Sequence, residues 1–184
     1  MPRNKSSTVR IIGGAWRSRL IRFADVPDLR PTPDRVRETL FNWLGQDLTG
    51  WACLDLYAGS GALGFEALSR GAARVVMVEK DREACRALRE SAVRLGAKGL
   101  TIECADALEF VARASERFDV IFLDPPFRRG VAREIWARLP ACLADSGLVY
   151  LESDARFAAS HPFVVIKHGR AGNVHYHLIG RSEQ

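Results

Sequence analysis

From residue 50 onward the chain alternates short apolar runs with segments of helical periodicity, and few folds accommodate that alternation. The runs are "ACLDLY", "RVVMVEK", "LTIEC", "FDVIFLD", "GLVYLE", "FVVIKH" and "VHYHLI". Between the first five lie helix-like segments: Leu63 to Arg70 stopped by Gly71, Arg82 to Leu95 stopped by Gly96, Ala107 to Ala114, and Val131 to Leu143, which Pro140 should kink. Strands that alternate with helices predict a doubly wound α/β sheet. The last two runs are separated only by "GRAGN", too short for a crossover helix, so they are expected to pair as an antiparallel hairpin. The expectation is seven strands, parallel except at the end. An ordinary dinucleotide fold, with two βαβαβ halves, ends differently.

The first run leads into "DLYAGSGALG", where Gly59, Gly61 and Gly64 spell GxGxxG between a strand and a helix. That turn alone fits NAD, FAD or S-adenosylmethionine. Asp55 helps to choose. A carboxylate at the strand end repels a pyrophosphate, whereas it attracts the ammonium of the amino-acid end of S-adenosylmethionine. The alternative for Asp55 is a purely local role, capping the turn. Glu79, closing the next strand, can accept hydrogen bonds from both ribose hydroxyls, and Asp106, beyond "LTIEC", stands where the adenine edge would lie. Asp106 also suits the N-cap of the helix that follows, and the two roles are compatible.

The fourth run ends in Asp124-Pro125-Pro126-Phe127. Two prolines cannot continue a central strand, so the sheet ends there with a stiffened backbone at the lip where ligands bind. The exocyclic amine of a nucleobase is a poor nucleophile because its lone pair is delocalised into the ring. Two acceptors aimed at its hydrogens, the Asp124 carboxylate and the Pro125 carbonyl, favour a pyramidal nitrogen whose lone pair faces a methyl donor. Phe127 offers a face for the base, a contact worth about 1–3 kcal/mol. A base inside a helix could not reach such a pocket, so the target must be flipped or unpaired.

Ahead of the sheet, "VRII" and "AWRSRLIRF" flank Gly13-Gly14, which reads as a two-residue hairpin turn. Arg17 and Arg19 would share one face and Trp16, Ser18, Leu20 and Arg22 the other. Neither face is cleanly apolar, so the ribbon is expected to project. Thr32 can then cap a helix that starts at Pro33 and buries Val36, Leu40, Trp43 and Leu44. Residues 1–37 carry nine Lys or Arg against three Asp, a net of +6, while the remainder has 18 basic and 19 acidic residues. Basic charge interleaved with Trp16 and Phe23 is the footprint of a polyanion-binding surface. A solubilising arm is the plainer alternative.

Within 184 residues this reads as a single domain: a basic extension over 1–48 and the sheet over 49–184. No apolar run approaches the roughly 18 residues of a membrane span, and "MPRNKSSTVR" does not lead into a signal-peptide core, so a cytoplasmic location is expected. Four scattered cysteines suggest neither a zinc pair nor a disulfide framework and read as small core residues. His175 and His177 share a strand face but have no carboxylate or thiol nearby in sequence, a poor metal site. No metal is expected, and nothing forces a dimer, so the chain is read as a monomer.

In these stretches the chain resembles the bacterial small-subunit (16S) ribosomal RNA guanine-N2 methyltransferases of the RsmD type. The likeness runs through "RIIGGAWRSR", "RPTPDRVRETLFNWL", "CLDLYAGSGALGFEALSRGA", "VVMVEKD" and "DVIFLDPPF", most of the first 130 residues. The glycine turn and DPPF are shared by many amino-methyltransferases, and the two N-terminal stretches narrow the match. The resemblance implies the class I S-adenosylmethionine-dependent methyltransferase fold and methyl transfer to N2 of a guanine in 16S ribosomal RNA, on the small subunit or its assembly intermediate. It implies a cofactor site at Asp55, Gly59, Gly61, Glu79 and Asp106, with Tyr57, Ala58, Ser60, Gly64, Lys80 and Ala107 beside them. Catalysis falls to Asp124, Pro125, Pro126 and Phe127. RNA phosphates would meet Arg10, Arg17, Arg19, Arg22, Arg35 and Arg37. An adenine-N6 nucleic-acid methyltransferase is the nearest rival, since DPPF serves an adenine amine equally well. A nicotinamide oxidoreductase and a non-catalytic RNA-binding module are further alternatives.

Overall fold

Four strands form the parallel centre of a seven-stranded sheet: β3 (Ala52–Asp55), β4 (Arg74–Glu79), β5 (Leu100–Cys104) and β6 (Phe118–Leu123). β7 (Leu143–Ser153) extends it beside β6, and the order across the sheet is β5-β4-β3-β6-β7-β9-β8. This computed structural model describes residues 7–23, 31–126 and 130–182. The alternation read from the sequence is real: Cys53, Val75, Met77, Val120 and Phe122 join one buried cluster, while Leu54, Val76, Val78, Ile121 and Leu123 join another on the opposite face.

Helices cover both faces. α1 (Asp34–Leu44), α2 (Ala62–Ser69) and α3 (Arg82–Leu95) contribute to the first cluster, α4 (Ala107–Arg113) and α5 (Arg133–Cys142) to the second. α3 has the predicted bounds because both ends are coded locally. The Asp81 carboxylate accepts from the Ala84 N–H at 2.8 Å, and Gly96 closes the helix with φ 64°. Pro140 lies in the last turn of α5, where the Arg181 guanidinium donates to its carbonyl and to that of Leu143.

The terminal hairpin is present, β8 (Phe163–Ala171) with β9 (Val174–Arg181), and its second strand docks against β7. β9 is therefore the antiparallel member, inserted between β7 and β8. Burial explains the order: Tyr176 to Gly180 are buried in β9, whereas β8 exposes Val164, Ile166, Lys167 and Arg170, an edge that Lys and Arg keep from pairing further. Among the cysteines, Cys53, Cys85 and Cys142 are buried, but Cys104 is exposed beside Cys85, its thiol 2.7 Å from that of the buried partner.

The N-terminal ribbon departs from expectation. β1 (Ser7–Arg10) pairs with β2 (Leu20–Phe23), but the reversal lies at Trp16–Arg19, with Ile11 bonded to Ser18 and Arg19. Gly13-Gly14 is a docking point. The Ile12 and Gly13 N–H groups both donate to the buried Glu66 at 2.8 Å, and Ala15 N–H donates to the Ser69 carbonyl at 2.7 Å. A Cβ on Gly14, which has φ 76°, would sit 1.8 Å from that carbonyl oxygen, so only glycine fits. Nor does the ribbon project: Val9, Ile11, Ile21 and Phe23 are buried in the core with α1 and α3. Alternation resumes at Leu20, which places Ile21 and Phe23 inside and Leu20 and Arg22 outside.

Candidate active site

The switch point of the sheet lies between β3 and β6, where successive connections leave in opposite directions, and the predicted site residues gather at its carboxyl edge. The glycine turn fills the β3 side. Gly61 adopts φ 78°, and Gly64 lets α2 approach the sheet so closely that an added Cβ would stand 2.4 Å from Met77 Cε. Five backbone donors of this turn are already engaged. Gly59 N–H donates to Glu79 Oε2 at 2.9 Å, Gly61 N–H to the Ala58 carbonyl at 2.7 Å, and Gly64 N–H to Asp55 Oδ2 at 3.0 Å, while Ala62 N–H meets the Ser60 hydroxyl. Ala58 N–H in turn donates to the Val78 carbonyl. Two of those partners are carboxylates. Such a turn presents negative charge where a pyrophosphate cradle would present free N–H groups.

Asp55 is buried, and burial pushes its carboxyl up to about 7, opposed by hydrogen bonds from the Gly64 and Tyr57 backbone and reinforced by the charge on Glu79. The capping role raised as an alternative is thus present. Glu79 also accepts from Asp81 N–H at 2.8 Å, which fixes its second oxygen at the entrance to α3. Asp106 caps α4, accepting from Leu108 N–H at 2.8 Å, with Ala107 buried in the first turn. Tyr57 is half-buried; burial and then the nearby Asp106 raise its phenol to about 12. Lys80 is exposed.

On the β6 side, Pro125 is buried and Pro126 exposed, and Phe127 lies outside the described residues. Asp124 is raised well above the usual carboxylate range, by burial first, then by Glu152 and Asp55, against a lowering hydrogen bond from Thr32. Thr32 does not cap α1, whose N-cap is Pro33 without a side-chain bond. Its hydroxyl lies 2.9 Å from Glu152 Oε1 and 3.3 Å from Asp124 Oδ2, and the Tyr150 hydroxyl donates to the same Glu152 oxygen at 2.9 Å. A recess of about 200 Å³ opens beside these groups, lined by Pro125, Val131, Trp136, Glu152 and Phe157. Trp136 and Phe157 stack across its wall, with ring centroids 4.8 Å apart.

A family model described as "Conserved hypothetical protein 95" matches residues 9–180. The chain is 46% identical over 151 residues to Ribosomal RNA small subunit methyltransferase D of Escherichia coli (strain K12), covering 81% of this chain and 76% of that protein. This chain belongs to that family. The namesake protein of Haemophilus influenzae is 37% identical over 185 residues, 95% of each chain. The solved structure of the putative methyltransferase yhhF from Escherichia coli superposes with a TM-score of 0.86 at 42% identity, over 97% of this chain and all of that one. The fold is accordingly that of class I methyltransferases, as the sequence led one to expect.

Of the six arginines expected to meet RNA phosphates, the structure separates the exposed from the buried. Arg17, Arg19, Arg22 and Arg35 are exposed, Arg19 donating to the Arg94 carbonyl, and Arg10 is exposed while pairing with Asp34 at 3.1 Å. Arg37 contradicts its assignment. It is fully buried, paired with Glu66 at 3.3 Å and Asp34 at 2.6 Å, and its Nε donates to the Thr32 carbonyl. Its place on the inner face of α1, opposite a buried Glu66 that also binds Arg70, makes it a core ion pair out of reach of phosphates. Thr32 was read from sequence only as a helix cap, and Tyr150 and Glu152 were not singled out. The available signal was that Glu152, like Asp55, Glu79 and Asp124, is an acid at the end of an apolar run.

Proposed function

We propose that this chain transfers the methyl group of S-adenosylmethionine to the exocyclic N2 of a guanine in 16S ribosomal RNA. Methyl transfer to small-subunit RNA accords with the family to which it belongs. The observation that carries the reading is the pairing, across β3 and β6, of a glycine turn, in which the Gly59 and Gly64 N–H groups donate to carboxylates, with the Asp124-Pro125 strand end.

The donor set fits a zwitterionic, cationic cofactor. Asp55 supplies negative charge near the turn, Glu79 accepts from ribose hydroxyls, and Asp106 with Tyr57 borders the adenine side. When bound, the sulfonium supplies an electrophilic methyl group. The remaining work belongs to the chain. Asp124 and the Pro125 carbonyl hold the amine hydrogens, orient its lone pair and stabilise the positive charge that develops on nitrogen. Stacking on the base is the role assigned to Phe127; the Trp136–Phe157 wall of the recess lies on the side of β7. Arg10, Arg17, Arg19, Arg22 and Arg35 meet phosphates of RNA whose target base is flipped or unpaired. All of these groups come from one chain, consistent with action as a monomer on the subunit or an assembly intermediate.

The test is transfer of labelled methyl to small subunits from cells lacking this protein, followed by digestion to nucleosides. Label in N2-methylguanosine is the expected result. Label in N6-methyladenosine overturns the choice of base, and absence of label from subunits and naked ribosomal RNA overturns the substrate.

A further inference from the structure

Asp124 directly follows β6 and Glu152 lies near the end of the adjacent parallel β7, with Leu123 and Leu151 in register, so a half-buried and a buried carboxyl group are brought together. Thr32 stands between them, and a hydroxyl has one hydrogen to give. If that hydrogen goes to Glu152, the shorter contact, then Asp124 must be the donor in the longer one and must carry a proton. Tyr150 supports this direction, because its hydroxyl donates to the same Glu152 oxygen and so favours the ionised form there. The surrounding groups agree. Asp55 on β3 adds negative charge beside Asp124, and the Tyr150 and Tyr176 phenols lie behind Glu152. Among the described residues, Arg37 reaches the Thr32 carbonyl, but its charge is paired with Asp34 and Glu66. Nothing in this list neutralises a second negative charge, and two carboxylates sharing a site do not both ionise readily.

We propose that Asp124 and Glu152 share a single proton through the Thr32 hydroxyl, and that Glu152 is the positioning residue that frees Asp124 to accept the hydrogens of the target amine. In the free protein the proton rests on Asp124. Positive charge entering the site favours the ionised Asp124, and the proton shifts: the Asp124 O–H bond breaks as Thr32 Oγ1 takes the proton, and the Thr32 hydrogen passes to Glu152 Oε1. One proton changes place and the net charge of the trio is constant. Thr32 is the link because a hydroxyl can donate and accept at once, which an amide N–H cannot.

The inference rests on the proposed reaction for its purpose, but the shared proton is measurable without it. Infrared titration of the full chain without cofactor, with Asp124→Asn to assign the band, follows the protonated Asp124 carboxyl directly. The expected result has the same sign in two variants. Glu152→Gln removes the neighbouring charge, so the Asp124 band disappears at a proton concentration at least about tenfold higher, that is, at lower pH than in the wild type. Thr32→Val removes the acceptor of the Asp124 O–H and one donor to ionised Glu152, so the band is again lost at lower pH, and Thr32→Ser returns it to the wild-type position. In single-turnover methyl transfer, the acid limb of the pH profile should move to lower pH in both variants, with the concentration of cofactor needed for half-saturation unchanged. A merely structural Glu152 would instead lower the rate at every pH and leave the limb in place. An Asp124 band that does not move in Glu152→Gln, or that moves to higher pH in Thr32→Val, overturns the proposal. Wild-type chain that shows these infrared shifts but labels no guanine overturns the reaction and leaves the shared proton standing.

Discussion

The two halves of the sheet's carboxyl edge satisfy their acids with different donors. On the β3–β4–β5 side, Asp55 accepts from Gly64 N–H, Glu79 from Gly59 and Asp81 N–H, and Asp106 from Leu108 N–H. On the β6–β7 side, Asp124 and Glu152 meet the hydroxyls of Thr32 and Tyr150. A backbone amide can only donate, so it holds a carboxylate in one role and one place. A hydroxyl can reverse. The half proposed to hold the cofactor thus uses donors that do not change, and the half proposed to move a proton uses donors that can.

The largest expected effect breaks the catalytic half alone. Asp124→Asn keeps the shape and one acceptor but loses the charge, and should slow single-turnover methyl transfer by about 10²–10³-fold. Binding of S-adenosylhomocysteine, followed by calorimetry, should change by less than about threefold. Near-normal turnover in this variant would mean that the carboxylate charge is unnecessary and that orientation by Asp124 fails as an account.

Glu79→Ala is the converse. Loss of hydrogen bonds to a charged acceptor is worth about 1.5–3 kcal/mol, so cofactor affinity should fall about 10- to 100-fold, while the rate at saturating cofactor stays close to wild type. Because Glu79 also holds Gly59 and Asp81, the variant should melt at a lower temperature. A variant that bound cofactor normally would remove Glu79 from the site and leave it as a brace for the turn.

A smaller effect separates the halves by pH. Asp55 is lifted to about 7 from its ordinary 3.8, chiefly by burial, so between those values the folded chain binds more proton than the unfolded one. Stability from this group is therefore greatest in acid and falls as pH rises toward 7, by about 2 kcal/mol between pH 5.5 and 7. Thermal melts of the cofactor-free chain should show that decline, and Asp55→Asn should flatten part of it. The raised Asp124 and Glu152 act in the same direction, so a residual slope in Asp55→Asn measures the catalytic half.

These contrasts were only partly legible in the sequence. The glycine turn and DPPF are local codes, and α3 shows how a cap at each end fixes a helix without tertiary help. Glu152 was not legible as a partner of Asp124, because their meeting depends on the register of β6 against β7 across an intervening helix. Thr32 before Pro33 carries the local signature of a cap, and the Asp124–Glu152 pair of acids outcompetes it. Arg37 belongs to the arginine-rich N-terminal segment and reads as a surface cation until Glu66 is found buried opposite it. The ribbon's burial escaped notice because its alternation is interrupted by the docked loop between Ile11 and Arg19, where backbone donors seek Glu66 and Ser69.

The smallest expected effect is on RNA affinity, and it asks whether the exposed arginines serve the catalytic half without touching the other. Each phosphate contact releases condensed counterions, so removing one arginine should reduce the slope of log affinity against log salt by about 0.7–0.9. Arg17→Ala and Arg22→Ala are the informative replacements, since both side chains are exposed and neither has a hydrogen-bond or ion-pair partner recorded among the described residues. Filter binding of a small-subunit RNA fragment over a salt series should give a shallower line for each. Cofactor affinity over the same series should be flat, because the acids on that side are held by backbone amides and do not depend on the basic ribbon. If both arginines could be removed with the RNA slope unchanged, the concentrated charge of the first 37 residues would be a solubilising arm, and the phosphate contacts would have to be sought elsewhere on the rim of the catalytic half.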